Sequence, residues 1–175
     1  METWTLLRPT EAHLEMVRAY RQAFLDAGDS MDGTGPLRRC EDPEEWLRKV
    51  RSYEDPSSVP EGLVTATQYL CVREEDGAVL GMLQLRHYLN EYLEKYAGHI
   101  GYSVRPDERR KGVATWMLRE ALPICRELGL EKVMIACVPG NEASRRTILA
   151  NGGVYDKTVY EPDDGEYLEQ YWITL

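Results

Sequence analysis

The chain has 175 residues, 43% of them apolar, and a formal net charge of −9. That size supports one folded domain, 1–175, whose core needs neither disulfide nor metal. The acidic balance excludes a nucleic-acid partner, which would need clustered cations; it suits an amine acceptor drawn by the overall field, and equally plain solubility. No run reaches the roughly 18 apolar residues of a membrane span, so no membrane partner is expected. Met1-Glu2-Thr3-Trp4 lacks the basic flank and apolar block of a secretory signal. Cys40, Cys71, Cys125 and Cys137 form no CxxC pair and have no nearby histidines, which disfavours a metal site. Cys71, Cys125 and Cys137 sit among apolar residues as buried free thiols, a usage that suits the cytoplasm.

Thr3–Leu7 alternates and stops at Arg8-Pro9, the signature of a first strand. Thr10 caps a helix predicted over Glu11–Ala27, with Leu14, Val17, Tyr20 and Phe24 on one face. Gly28 to Gly35 reads as a mobile loop from its Gly, Asp and Ser content. Asp42-Pro43 opens a second helix ending near Ser52, and Tyr53–Gly62 is a loop. Thr65–Arg73 and Val79–Tyr88 are strands joined by a hairpin turn at Glu74-Glu75-Asp76-Gly77. A helical turn is expected in Asn90–Tyr96 and a strand over Gly98–Val104. Gly112–Leu128 has helical periodicity, with Pro123 expected to bend it and Gly129 to end it. Val133–Val138 is a continuous apolar strand, Asn141–Ala150 a short helix, and Val154–Tyr160 and Tyr167–Thr174 the last two strands. The strand–helix–strand unit from Gly98 to Val138 predicts a parallel pair, with antiparallel meanders on either side.

The chemistry concentrates between Val104 and Thr115. This segment leaves a strand and enters a helix, whose first N–H groups lack partners and carry the positive end of its dipole. A pyrophosphate fits such a place, and Gly112 lets the backbone approach it closely. Arg109, Arg110 and Lys111 add positive charge outside. Taken alone the hexamer equally describes a basic, solvated helix start. It is neither a Walker loop nor GxGxxG.

Arg109-Arg110-Lys111-Gly112-Val113-Ala114 resembles the [QR]-x-x-G-x-[GA] signature of the GNAT superfamily of acetyltransferases. Gly98–Pro106 is similar to the strand preceding that signature, Asn141-Glu142-Ala143-Ser144 to the family's Asn-x-Ala-[AS] helix start, and Asn151-Gly152-Gly153 to a glycine step beyond it. The segments Leu85–Asn90 and Tyr171–Thr174 look like a subgroup of predicted acetyltransferases whose acceptors are unassigned. The resemblance implies an α+β fold with about seven mostly antiparallel strands, a central splayed parallel pair and about four helices. It implies direct transfer of the acetyl group of acetyl-CoA to an amine through a tetrahedral intermediate, without a metal. The backbone N–H groups of about Arg110 to Thr115 would take the pyrophosphate. Tyr102, Ser103 and Val104 would line the pantetheine arm, with the Val104 amide polarising the thioester. Asn141 and Ser144 would contact the arm, although Asn141 is equally a good N-cap. Many members carry a Tyr seven residues after that Asn as general acid; here the position holds Ile148. Ser144, Tyr155 or water would then serve. His99 is the first candidate base, before His87, Glu91 and Glu94. Glu11, Asp26, Asp29 and Asp32 are carboxylates expected near the acceptor, which is a small molecule or a peptide. A second copy of the chain is a candidate partner through Tyr167–Thr174. A non-catalytic acyl-CoA sensor of the same fold is the alternative; a nucleotide-binding or purely structural domain would differ in which ligand protects it from heat.

Overall fold

A computed structural model describes residues 1–175. In chain order it contains β1 (Trp4–Leu7), α1 (Leu14–Ala27), α2 (Pro43–Ser52), β2 (Ala66–Arg73), β3 (Val79–Arg86), β4 (Ile100–Val104), α3 (Val113–Glu127), β5 (Lys132–Cys137), α4 (Glu142–Ala150), β6 (Val154–Glu161) and β7 (Glu166–Thr174). Local chemistry accounts for most starts and stops. Thr10 accepts from the Ala12 N–H, and His13 Nδ1 accepts from the Thr10 N–H, which makes the first turn, Glu11–His13, a tight 3₁₀ turn ahead of α1. Asp42 caps α2 with Pro43 in its first turn, and Asn141 Oδ1 caps α4 through the Ser144 N–H. α3 runs on through Pro123, which lies on its exposed side. The expected turn before β4 is a π-type turn, Leu93–Ala97.

The strands form two antiparallel sheets, ordered β1-β2-β3-β4 and β5-β7-β6. Period-two alternation sends Leu70 and Met82 to one face of the first sheet, where α1 and α2 bury Val17, Tyr20, Phe24, Trp46 and Val50 against them. Cys71, Leu83 and Leu85 face the other way and share a core with Met117, Leu118 and Ala121 of α3, Ile135 of β5 and Tyr171 and Ile173 of β7. All four cysteines are buried and unpaired. No helix is long and apolar enough to cross a membrane.

Two expectations change. β4 and β5 share no parallel ladder; their one pairing is an isolated bridge of antiparallel type between Gly98 and Ile135. Gly98 is the reason. At φ 72° and ψ −162° it crosses β5 with its Cα against the Met134 carbonyl, where a Cβ would collide. The strands therefore touch at that end and splay beyond it. β7 lies between β5 and β6, so both of its edges are paired and it has none to offer a second copy.

The segment from Gly28 to Arg39, expected to be mobile, is tied at several points. Gln68 Nε2 donates to the Gly33 carbonyl at 2.7 Å and Trp46 Nε1 to the Thr34 carbonyl at 2.8 Å. Arg21 donates to the Leu37 and Arg38 carbonyls at 3.0 Å. The backbones of Gly33 and Gly101 pack directly together, so this loop rests on β4.

Candidate active site

Every backbone N–H from Arg109 through Thr115 lacks a partner within the protein, whereas those on either side are bonded: Glu108 to Arg105 O, Trp116 to Gly112 O. Two left-handed residues shape this turn, Arg110 at φ 66° and Gly112 at φ 86°. The position of a Cβ on Gly112 is open space, so what demands glycine is the backbone conformation and the approach of a ligand. The turn is braced from behind by Glu108, a buried carboxylate that accepts from Arg73 at 2.9 Å and from Lys111 at 2.6 Å.

The three basic side chains do not act alike. Lys111 is spent on Glu108. Arg109 turns back toward the body of the protein, donating from Nε to the Val104 carbonyl at 3.1 Å and from Nη1 to Asp29 at 2.9 Å. All three are exposed as expected, but only Arg110 makes no hydrogen bond or ion pair.

Beside the turn lies a gap between two strand edges that share no ladder. Arg105 N–H donates to Leu80 O, and Gly81 is registered with Val104. Antiparallel ladders alternate between bonded and outward-facing residues. Gly101 and Ser103 thus bond β3, while Tyr102 and Val104 turn their N–H and C=O groups outward. On the other side Leu175 N–H donates to Glu131 O, which by the same alternation leaves Met134 and Ala136 facing away from β7. Ser103 departs from its expected place: its hydroxyl shares a 2.8 Å hydrogen bond with Tyr20 on the α1 face.

His99 closes one end of the gap. Its N–H donates to Met134 O at 2.8 Å and its Nδ1 accepts the Met134 N–H at 2.9 Å. Burial, with the nearby Arg86 charge, pushes its pKa down to about 4. A buried ring with its Nδ1 lone pair committed is a clip between strands, which argues against the role of base. Because the folded pKa lies below the unfolded value near 6.5, the native state binds fewer protons between these limits, and stability falls as pH drops from about 6.5 toward 4. His99→Gln, whose amide oxygen can accept the same N–H, should lose less melting temperature than the wild type between pH 7.5 and pH 5. An equal loss in both proteins would assign the acid sensitivity elsewhere.

At the open side Tyr102 reaches across, its hydroxyl sharing a 2.8 Å hydrogen bond with Ser144 Oγ. Asn141 is the N-cap of α4. Cys137 is buried, and desolvation, with Glu169 adding, pushes its thiol up to about 11, as for a core residue and not a nucleophile. Ile148 is fully buried against Gly153. Tyr155 lies exposed on β6 with its hydroxyl bonded to Thr158, packed edge-on against Tyr171.

A profile of the acetyltransferase (GNAT) family matches residues 33–152, more than half of the chain. The chain belongs to the GNAT acetyltransferase family. The family is one of acetyl-CoA-dependent N-acetyltransferases. Solved GNAT structures share its fold at low identity. Ribosomal-protein-S5-alanine acetyltransferase from Vibrio fischeri superposes with a TM-score of 0.74 at 16% identity, covering 99% of this chain and 94% of that one. Mycobacterium smegmatis RimJ in complex with CoA-disulfide gives 0.71 at 18%, covering 98% and 81%. Spermidine N-acetyltransferase SpeG from Vibrio cholerae gives 0.65 at 14%, covering 97% and 94%. No curated protein matches the chain in sequence.

The expected acceptor-side carboxylates of this GNAT chain are mostly engaged. Glu11 takes a two-pronged hydrogen bond from Arg51 at 2.7 and 3.1 Å, which holds its carboxyl down at about 2. Asp29 is bonded to Arg109, and Asp26 accepts from Gln22. Asp32 makes no ion pair; desolvation raises its pKa and Arg86 opposes the rise. No group of three or more His, Cys, Asp or Glu side chains could hold a metal ion. Sequence reasoning missed the bracing of the turn by Arg73 and Glu108, residues 35 positions apart.

Proposed function

We propose that the turn Glu108–Thr115 receives the pyrophosphate of acetyl-CoA, that the gap between β4 and β5 takes its pantetheine arm, and that the acetyl group passes directly to an amine. The observation that carries this reading is the unbroken run of unpaired N–H groups from Arg109 to Thr115, which follows the outward-facing edge of β4 and enters the first turn of α3. Those amides and the α3 dipole suit a dianionic ligand, with Arg110 outside. The outward Val104 N–H is placed to polarise a thioester carbonyl, an interaction that strengthens as the oxygen gains charge. A deprotonated amine would then bond to the carbonyl carbon and the C–S bond would break; the proton shed by the nitrogen would pass through the Ser144 hydroxyl, held by Tyr102, to the departing thiolate, leaving the serine as it began. Ile148 supplies no hydroxyl for that step, and this favours a sensor as the second reading. The structural neighbours include a ribosomal-protein-S5-alanine acetyltransferase and a spermidine N-acetyltransferase, so peptides with a free N-terminus and polyamines head the screen.

Two measurements separate the readings. At a hundredfold excess over its dissociation constant, coenzyme A should raise the melting temperature by about 5–10 °C, and ATP should not. Thiol release from acetyl-CoA with spermidine, or with peptides starting in Ala or Ser, supports the enzyme. Binding without turnover of any acceptor supports the sensor. No shift with coenzyme A at millimolar concentration removes the site.

A further inference from the structure

In the turn, the first basic residue of the signature does not point at the phosphate position. The Arg109 guanidinium lies over the Phe24 ring of α1 at 5.7 Å. It reaches the Val104 carbonyl with Nε and the Asp29 carboxylate with Nη1. Arg38 holds the backbone carbonyl of the same Asp29, so that residue is gripped at both ends. One planar cation thus joins three pieces of the protein: the end of the thioester strand, the loop resting on β4, and the helix behind both.

Resting on the acetyl-CoA reading above, we propose that Arg109 is a positioning residue that couples the Gly28–Arg39 loop to the acetyl-bearing end of β4. Its hydrogen bond to the Val104 carbonyl fixes the backbone of the one residue whose N–H faces the thioester. Its bond to Asp29 fixes the loop on the acceptor side relative to that same residue. Donor and acceptor are thereby set in a common frame, and small misplacements of reacting groups are costly in rate. A lysine cannot substitute, because a single ammonium lacks the flat fork that serves two acceptors on diverging lines. The Arg109–Asp29 pair is roughly half exposed at both ends, and such pairs contribute little to stability. The consequence of losing it lies in geometry, and the variants should fold.

The test compares Arg109→Ala, Arg109→Lys, Asp29→Asn and Arg110→Ala. Coenzyme A binding by calorimetry should change less than about threefold for both Arg109 variants, because backbone amides hold the phosphates. Their kcat should fall about tenfold or more, with lysine failing to rescue. Asp29→Asn should raise mainly the KM for the amine. Arg110→Ala should do the reverse of Arg109→Ala, weakening coenzyme A with kcat kept. The acceptor is whichever of spermidine and the Ala- or Ser-starting peptides the wild type uses. An acceptor-free arm follows amide hydrogen exchange: coenzyme A should slow exchange in Asp29–Pro36 of the wild type, and in Arg109→Ala and Asp29→Asn only near the turn. Arg109 variants that lose coenzyme A affinity as much as kcat, or loop protection that survives in both, would overturn the coupling. Failure of the wild type itself to bind coenzyme A would strike the reading beneath it.

Discussion

Gly112→Glu is expected to weaken coenzyme A binding at least about a hundredfold, while the protein stays folded. Two effects add. An L-residue at φ 86° costs roughly 1–2 kcal/mol, which the turn would relieve by rotating its amides away from their present direction. The new carboxylate then stands where those amides point, repelling the phosphates in a field that was otherwise positive. Together these reach the roughly 2.8 kcal/mol that a hundredfold change requires. Because a Cβ at this position meets open space, the loss of stability should stay near the strain term alone. A series separates the components: Gly112→Asn, tolerant of the left-handed region, should be mildest, Gly112→Ala about tenfold weaker than wild type, and Gly112→Glu weakest. Calorimetry with coenzyme A measures all three, and three equal affinities would mean that the turn is not the phosphate site.

The run of unpaired amides from Arg109 to Thr115 was legible in the sequence because it is carried by local backbone. A glycine at a strand-to-helix junction announces free amides wherever the rest of the chain goes. The same holds for the caps at Asp42 and Asn141, whose partners lie two or three residues away. What could not be read were contacts over long separations. The charge of Arg109 was visible; its partner Asp29, 80 positions earlier, was not. His99 looked like a base because an isolated imidazole titrates near neutrality, and only its place against Met134 turns it into a buried acceptor. Composition made Gly28–Gly35 look mobile, yet Gln68, Trp46 and Arg109 hold the surrounding loop from three other elements. The strand–helix–strand pattern made β4 and β5 neighbours and the family resemblance implied their splay; where they touch depends on how one glycine crosses one carbonyl.

That crossing yields the largest expected effect on stability. Gly98→Ala places a Cβ against the Met134 carbonyl, at a backbone conformation essentially confined to glycine. Both partners are main chain, so no side-chain rotation relieves the contact. The bond between His99 N–H and Met134 O would stretch or break with the adjustment, leaving buried backbone groups unpaired. Strain of about 1–3 kcal/mol plus a lost buried hydrogen bond of similar size predicts a destabilisation of about 3–5 kcal/mol. At roughly 2–4 °C per kcal/mol for a chain of this length, the melting temperature should fall by about 10 °C or more. His99→Ala, which removes the side-chain half of the clip and spares the crossing, should cost less. The two variants should also differ in ligand response. If the junction at Gly98 sets the angle at which β4 and β5 diverge, Gly98→Ala alters the width of the gap at Val104, six residues away, and acetyl-CoA should restore less of its lost melting temperature than it adds to the wild type. A Gly98→Ala protein that melts with the wild type would show that the strands can part at that end without cost, and that the gap is held open by something other than the crossing.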